Sequence, residues 1–443
     1  MIEKVTASNI GAIANPAFRD YARRYVDIEE GFRESVVAFG VPFAEAADES
    51  GREATVAALA SRGLHVLNDG KSLAAGWQSS ACETCRLGLG TETFVMTLAC
   101  PRCCFFCFNP NQADFDGRAA GPRDVAAQLE ARARAGARYT HVALTGGEPL
   151  LYPDETVAFF RRARELFPGV HARLYTSGSG LTDEALGRLR DAGLAEIRFS
   201  VKTDGGPSDI ERTLGLIKKA VGAIPDVMVE MPVMPGELEL MKGLLVRLDA
   251  LGVRGINLLE LGFPLFNGEE FARRGYQLRR ESYRVLYDYA YAAGLPVAGS
   301  EGACLELLAF ALEAELSLGV HYCSMENKHT GQVFQQNAPH AAAHPLRAMS
   351  PRDHFLKSCK AFGADRAPVR RVLAAAGAPF EESDEFDFIE FRCADAALLR
   401  EELPDVELAV SYAICEPREG EVVLRELRLD ATVPSTFDLE KDW

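Results

Sequence analysis

Between residues 92 and 293, short apolar runs alternate with stretches whose apolar positions recur every three to four residues. Runs at 94–98, 141–145, 172–176, 196–201, 227–233 and 255–261 predict strands. The amphipathic stretches at 122–135, 154–166, 182–192, 209–223, 238–251 and 280–293 predict helices. Six strands each followed by a helix imply a parallel α/β sheet, either curled into a partial barrel or left open and doubly wound. Spacing alone leaves both open.

The flanks read differently. Residues 1–80 carry apolar positions at helical spacing, as in Phe18, Tyr21, Ala22, Tyr25 and Val26, and predict a helical lead-in. Past residue 295 a helix is expected at 303–316. A loop holding His321, His329, His340, His344 and His354 follows, long enough for a lid over the barrel mouth. Strands at 386–393, 406–414 and 422–429 around a short helix at 396–402 predict an α+β cap. The expected organisation is a helical N-terminal extension over 1–90, a barrel over 91–294 and a C-terminal cap over 295–443.

At 443 residues and 48% hydrophobic composition the chain can bury a sizeable core. Its formal net charge of −16 disfavours nucleic acid as a partner. No signal-peptide pattern opens it, and no charge-free run reaches the ~18 residues of a membrane span. A cytoplasmic protein is expected. The eleven cysteines are odd in number and clustered, which suits metal ligation better than a disulfide framework.

In a parallel barrel the ligand site lies at the C-terminal ends of the strands. Directly after the first predicted strand comes Cys100-Pro-Arg-Cys-Cys-Phe-Phe-Cys107. Cys100, Cys104 and Cys107, spaced C-x3-C-x2-C, can place three thiolates on three corners of a 4Fe-4S cluster and leave the fourth iron open. A frame through Cys103 competes but lacks a third cysteine at the right distance. The second strand ends in Thr145-Gly-Gly-Glu-Pro149, where glycines permit close backbone approach and a carboxylate can receive an ammonium group. Thr176 and Ser177 follow the third strand, Ser200 and Lys202 the fourth; Glu230 ends the fifth, and the sixth carries Asn257 and Glu260.

C-x3-C-x2-C after one strand and Gly-Gly-Glu-Pro after the next resemble the radical S-adenosylmethionine superfamily over roughly residues 90–265. The resemblance implies a partial (β/α)6 TIM-like barrel, with Cys100, Cys104 and Cys107 holding a 4Fe-4S cluster whose open iron binds the methionyl end of S-adenosylmethionine. It implies that Gly146, Gly147 and Glu148 receive the methionine ammonium, and that Phe106 packs near the adenine. Thr176 or Ser177 with Ser200 would contact the ribose or carboxylate, and 257–259 would line the adenine. A reduced cluster then breaks a carbon–sulfur bond, and the 5′-deoxyadenosyl radical takes a hydrogen atom from substrate. Glu230, Glu260 and Lys202 are the candidate catalytic groups. An electron donor such as flavodoxin or ferredoxin is implied.

Cys82-x2-Cys85 forms half of a tetrahedral metal site. Cys323 is the best third ligand, and Cys304, Cys359 and His321 compete for the fourth place around zinc or a mononuclear iron; an auxiliary iron-sulfur cluster or free thiols are the alternatives. This arrangement is similar to methanogenesis-marker radical methylases, and Arg-Cys-Cys-x-x-Cys resembles the loop of an arsinothricin-pathway radical enzyme. Cys393 and Cys415 read as core residues. The substrate is expected to be a small metabolite or a peptide. Alternatives are a cobalamin-dependent radical methylase, an aminocarboxypropyl-radical transferase, or an iron-sulfur carrier without turnover.

Overall fold

The computed structural model describes residues 2–45, 50–287 and 294–442. It divides the chain into two compact units. One comprises Phe39–Ser282 and Tyr291–His329, the other Met1–Ala38, Tyr283–Ala290 and Thr330–Trp443. The expected boundaries at 90 and 294 differ from this division because the first helix and the C-terminal strands share one core. Phe18, Tyr21 and Val26 pack with Phe362, Ala409 and Leu429.

The unit containing 39–282 is built on a nine-stranded sheet. Its elements in chain order are α1 (Ser50–Ala60), β1 (His65–Leu67), β2 (Ser72–Ala75), α2 (Ser80–Cys85), β3 (Thr91–Val95), α3 (Val125–Arg134), β4 (His141–Thr145), α4 (Pro153–Leu166), β5 (His171–Thr176), α5 (Asp183–Asp191), β6 (Glu196–Phe199), α6 (Pro207–Ala220), β7 (Asp226–Val233), α7 (Leu238–Ala250), β8 (Gly255–Glu260), α8 (Ser300–Glu313) and β9 (Gly319–Cys323). Strands run β1-β2-β9-β8-β7-β6-β5-β4-β3, so the described sheet has two ends and the barrel is partial. β3 through β8 pair in parallel in sequence order, as the hydrophobic runs predict. The helices bury their apolar faces against this sheet. Phe159, Phe160 and Ala163 of α4 and Ile217 of α6 are wholly buried in one core with Val142, Leu144, Leu174 and Ile197.

The structure adds three strands to the expected six. β9 pairs in parallel with β8, in register Val320↔Ile256, and β2 pairs antiparallel with β9. The lead-in is therefore not wholly helical. Ser72–Ala75 is buried at every position, so it lacks the alternation that marks a half-exposed strand. β9 falls where the sequence predicts loop, because its own run, Gly319-Val-His-Tyr-Cys323, mixes polar and apolar residues. Its outward Tyr322 donates to Glu301 of α8 while His321 faces inward.

The histidine lid is also revised. His321 is strand and 3% exposed, and His329 lies in the helix Met325–Asn337. The helix expected at 280–293 is absent over 280–287, and 288–293 lie outside the described residues. Val285 and Tyr287 of this stretch are buried in the core of the second unit.

That second unit is an antiparallel α+β layer. Leu408–Arg418 and Glu421–Thr432 form its long hairpin, joined by Leu356–Phe362, which the sequence reading missed. That strand buries Lys357 and Lys360, whose charges break the apolar run. Lys360 donates to Glu426 at 2.7 Å and Lys357 to Asp353 at 2.7 Å.

Candidate active site

A cavity of about 320 Å³ opens at the C-terminal ends of the parallel strands. One wall is the cysteine loop with Cys100, Cys104, Phe106 and Cys107, and the opposite wall carries Tyr175, Arg198, Glu230, Glu260 and Lys328.

The loop is pinned at several points. Arg102 forms a two-armed ion pair with Asp209 in the first turn of α6, one arm at 2.7 Å. Phe105 packs on Phe271 at 5.1 Å and under the Arg274 guanidinium at 4.1 Å. Asn267 donates to the Phe105 carbonyl. Burial raises the Cys104 thiol while the Lys202 ammonium opposes it, and burial also raises Cys100. Lys202 donates to Ser200 at 2.6 Å and stands 5.3 Å from the centre of the Phe106 ring. Cys103 is exposed, which fits the C-x3-C-x2-C frame.

Two glycines bring the next strand end against the approach to this loop. A Cβ at Gly146 would collide with the Thr97 carbonyl, and one at Gly147 with the Ala99 carbonyl. Gly147 N–H donates to Thr97 O at 2.7 Å and Glu148 N–H to Ala99 O at 2.8 Å. Gly146 also has φ +140°. The glycines thus serve chain-to-chain packing, and both still line the cavity.

Glu148, expected to receive the methionine ammonium, is turned toward the next strand end. It is completely buried, and its carboxylate accepts from Thr176 Oγ1 at 2.7 Å, Ser177 N at 2.7 Å, Ser177 Oγ at 2.6 Å and Leu150 N at 3.1 Å. It orients Thr176 and Ser177. Asn257, expected beside an adenine, is 3% exposed and bonds Glu230 Oε2 at 2.7 Å and His321 Nδ1 at 2.8 Å. Leu259, also in the expected 257–259 stretch, lines the cavity.

Glu230 is held for work in the cavity. Its Oε2 accepts from Arg198 at 2.5 Å and from Asn257, while Oε1 has no partner among the described residues. Burial is the largest influence and would raise this carboxyl, but the Arg198 guanidinium, the Lys328 ammonium and the hydrogen bonds from Asn257 and Arg198 together hold the group below the usual carboxylate range. Arg198 is itself 3% exposed and also pairs with Glu196. Lys328 reaches the same cavity, acts electrostatically on Glu230 and has no hydrogen bond or ion pair among the described residues. Glu260 is less available. Its carboxylate pairs with Arg279 at 2.9 Å and accepts from Met325 N–H at 2.9 Å, and burial raises it.

Arg102, Tyr175, Arg198 and Lys328 escaped sequence reading. For Arg198 the signal was present, since a charged residue inside the apolar run 196–201 points into a barrel lumen rather than into the helix layer.

The second cysteine set is only partly gathered. Cys82, Cys85 and Cys323 interact electrostatically, and burial pushes the Cys323 thiol up to about 12. Cys304 is wholly buried in the helix–sheet core on α8 and interacts electrostatically with Cys323. Cys359 belongs to the other unit's core. His321 has both ring nitrogens engaged, by Asn257 and by Ser72 at 2.6 Å. Among the described residues, the one set of three potential metal donors lying within 4.8 Å of one another is His171, Glu196 and Asp226. Ser79, His171 and Arg198 already bond Glu196, and Arg254 pairs with Asp226.

No helix among the described residues is long and apolar enough to cross a membrane. Residues 94–241 match the family model described as the radical SAM superfamily. A putative glycyl-radical enzyme activating enzyme of Methanocaldococcus jannaschii is 28% identical over 55% of this chain and 62% of its own length. A PqqA peptide cyclase of Methylocella silvestris is 37% identical over 24% of this chain and 27% of its own. The structure of Streptococcus suis SuiB bound to S-adenosylmethionine aligns at 12% identity and TM-score 0.40, covering 53% of this chain and 50% of that one. These matches span less than two thirds of each relative. The matched segment holds both the cysteine loop and Gly-Gly-Glu-Pro, so residues 94–241 carry a radical S-adenosylmethionine superfamily domain.

Proposed function

We propose that this chain reductively cleaves S-adenosylmethionine and directs radical chemistry at a small metabolite or a peptide. The observation that carries this reading is one cavity joining three loop thiols to a poised, half-satisfied carboxylate. The donor set fits a site-differentiated cluster. Cys100, Cys104 and Cys107 line the cavity, all three are free thiols, and a cation stands beside Cys104. A bound 4Fe-4S cluster supplies the electron that breaks the sulfonium carbon–sulfur bond.

The chain's own residues then have positional work. Gly146 and Gly147 offer backbone close to the cluster loop, and Ser200 with Lys202 suits the methionyl carboxylate. Thr176 and Ser177, aligned by Glu148, suit ribose hydroxyls, while Phe106 offers a face for the adenine. Glu230, ionised and with Oε1 free, accepts a hydrogen bond or an ammonium from the substrate. Lys328 supplies a countercharge for a substrate anion. The peptide arm draws support from the printed name of the peptide cyclase relative. A low-potential donor of the flavodoxin or ferredoxin type would feed the electron.

The test is spectroscopic. Anaerobic reconstitution should load a cluster whose reduced paramagnetic signal changes on adding S-adenosylmethionine, because the cofactor occupies an open iron. An intact cluster with a signal indifferent to the cofactor would contradict the reading.

A further inference from the structure

One buried charge beside the cavity has no task in the site described so far. Arg173, the third residue of β5, is 3% exposed, and its Nε and Nη1 have no hydrogen-bond partner among the described residues. Its register partner on β6, Glu196, is already engaged, accepting from Arg198, Ser79 and His171. A guanidinium keeps its proton at any ordinary pH, so burial leaves this one charged and its lost hydration uncompensated.

The strand shows which way the charge faces. Ala172 and Leu174 are buried in the helix–sheet core, so Arg173 and Tyr175 share the opposite, lumen face. Tyr175, one step nearer the strand end, lines the cavity. The Arg173 guanidinium stands 5.7 Å from the centre of the Tyr175 ring, and that of Arg198, from the neighbouring strand, stands 5.5 Å from it. One ring at the cavity wall therefore carries two cations. Contact with a ring face offsets part of a buried charge and does not replace an anion. Burial raises the Tyr175 hydroxyl well above its ordinary value, so the phenol is neutral and supplies none.

The balance of charges at this wall sets the kind of anion. Arg173, Arg198 and Lys328 stand against Glu196 and Glu230. The groups beyond them are matched, Glu260 by Arg279 and Arg102 by Asp209, while Lys202 stands by Ser200 at the place proposed for the cofactor's carboxylate. Three cations against two carboxylates leave one positive charge in excess. A carboxylate neutralises it, whereas a phosphate dianion overshoots and is repelled by Glu230.

We propose that the substrate bears a carboxylate, held toward the wall of Arg173, Tyr175 and Arg198, with a neighbouring N–H or O–H on Glu230. This rests on the proposed function and narrows its substrate class. Arg173 is a positioning residue, acting through the charge it adds behind Tyr175 and beside Arg198. A charge kept uncompensated for a ligand lowers the stability of the ligand-free fold, so its removal should not destabilise that fold.

The experiment uses the reconstituted, unreduced full chain saturated with S-adenosylmethionine, so binding is read without turnover. Sodium acetate, acetamide and sodium phosphate are the probes, with ionic strength held constant by chloride, and Tm is the readout. Acetate should raise Tm saturably, by about 3–6 °C at ten times its Kd, while acetamide should leave it unchanged and phosphate should raise it less. Arg173→Met should abolish the acetate rise and, without acetate, melt no lower than the unaltered chain. No rise with acetate, an equal rise with acetamide, or a rise with phosphate as large as that with acetate would overturn the proposal, and none of these needs a variant. An undiminished acetate rise in Arg173→Met, or a variant that melts well below the unaltered chain, would overturn it as well. If the radical reading fails instead, reduction yields no cofactor cleavage product while the Arg173-dependent acetate rise persists. If this proposal alone fails, the cleavage product forms and that rise is absent.

Discussion

Replacing Glu148 by Gln distinguishes a carboxylate that holds the site together from one that touches the cofactor. Glu148 is completely buried, with Thr176 Oγ1, Ser177 N and Ser177 Oγ all within 2.7 Å. Charge-assisted hydrogen bonds of this kind contribute about 1.5–3 kcal/mol each, and a buried donor left facing another donor costs about 1–3 kcal/mol. Gln keeps the shape and one carbonyl oxygen but turns an NH2 toward at least one donor. A net loss of about 2 kcal/mol follows, short of the full sum because the Thr176 and Ser177 hydroxyls can rotate. For domains of about 150–250 residues each kcal/mol lowers Tm by about 2–4 °C, so the variant should melt about 4–8 °C lower. Calorimetry of the apo protein reads this, and equilibrium dialysis reads cofactor affinity, which should change by less than about threefold, under 1 kcal/mol. An unchanged Tm with affinity reduced about tenfold, equivalent to about 1.4 kcal/mol, would show that Glu148 contacts the ligand directly.

Lys202→Met removes the ammonium bonded to Ser200 and should weaken S-adenosylmethionine binding by about tenfold or more at unchanged iron content, measured by dialysis; unaltered affinity would dismiss the role. Arg102→Met leaves Asp209 without its two-armed partner and loosens the loop. Iron content after reconstitution should fall, and Asp209→Asn should fall with it and not add to it in the double variant. The His141 pKa is pushed down to about 4 by burial, with His171 and Arg173 adding to the effect. A base depressed in the folded state binds fewer protons there than in the unfolded chain, so its contribution is present above about 6.5 and lost as pH falls to about 4. Denaturation midpoints should therefore rise with pH across that window, and His141→Gln should flatten the slope.

The parallel strands were legible because strands covered on both faces read as unbroken apolar runs, and the cluster loop because its spacing is local. β2 and β9 were not, since their partners are hundreds of residues apart or on the far side of a helix, and no local period marks them. The contents of the lumen were also hidden. Arg173, Arg198, Asn257 and His321 each look like an interruption of a strand, and only the strand pairing shows Asn257 meeting His321. Glu148 could be placed at the right strand end from sequence, but its orientation toward Thr176 and Ser177 depends on the neighbouring strand's register.

The central claim is that S-adenosylmethionine is cleaved at the loop of Cys100, Cys104 and Cys107. Its most direct measurement is product analysis of anaerobically reconstituted, dithionite-reduced protein given the cofactor, alongside Cys104→Ala. The account predicts 5′-deoxyadenosine from the unaltered chain and none from the variant, whose visible cluster absorbance should also be lost. 5′-Methylthioadenosine in its place would redirect the reaction to the aminocarboxypropyl bond. Neither product with the cluster intact, or equal product from Cys104→Ala, would contradict it.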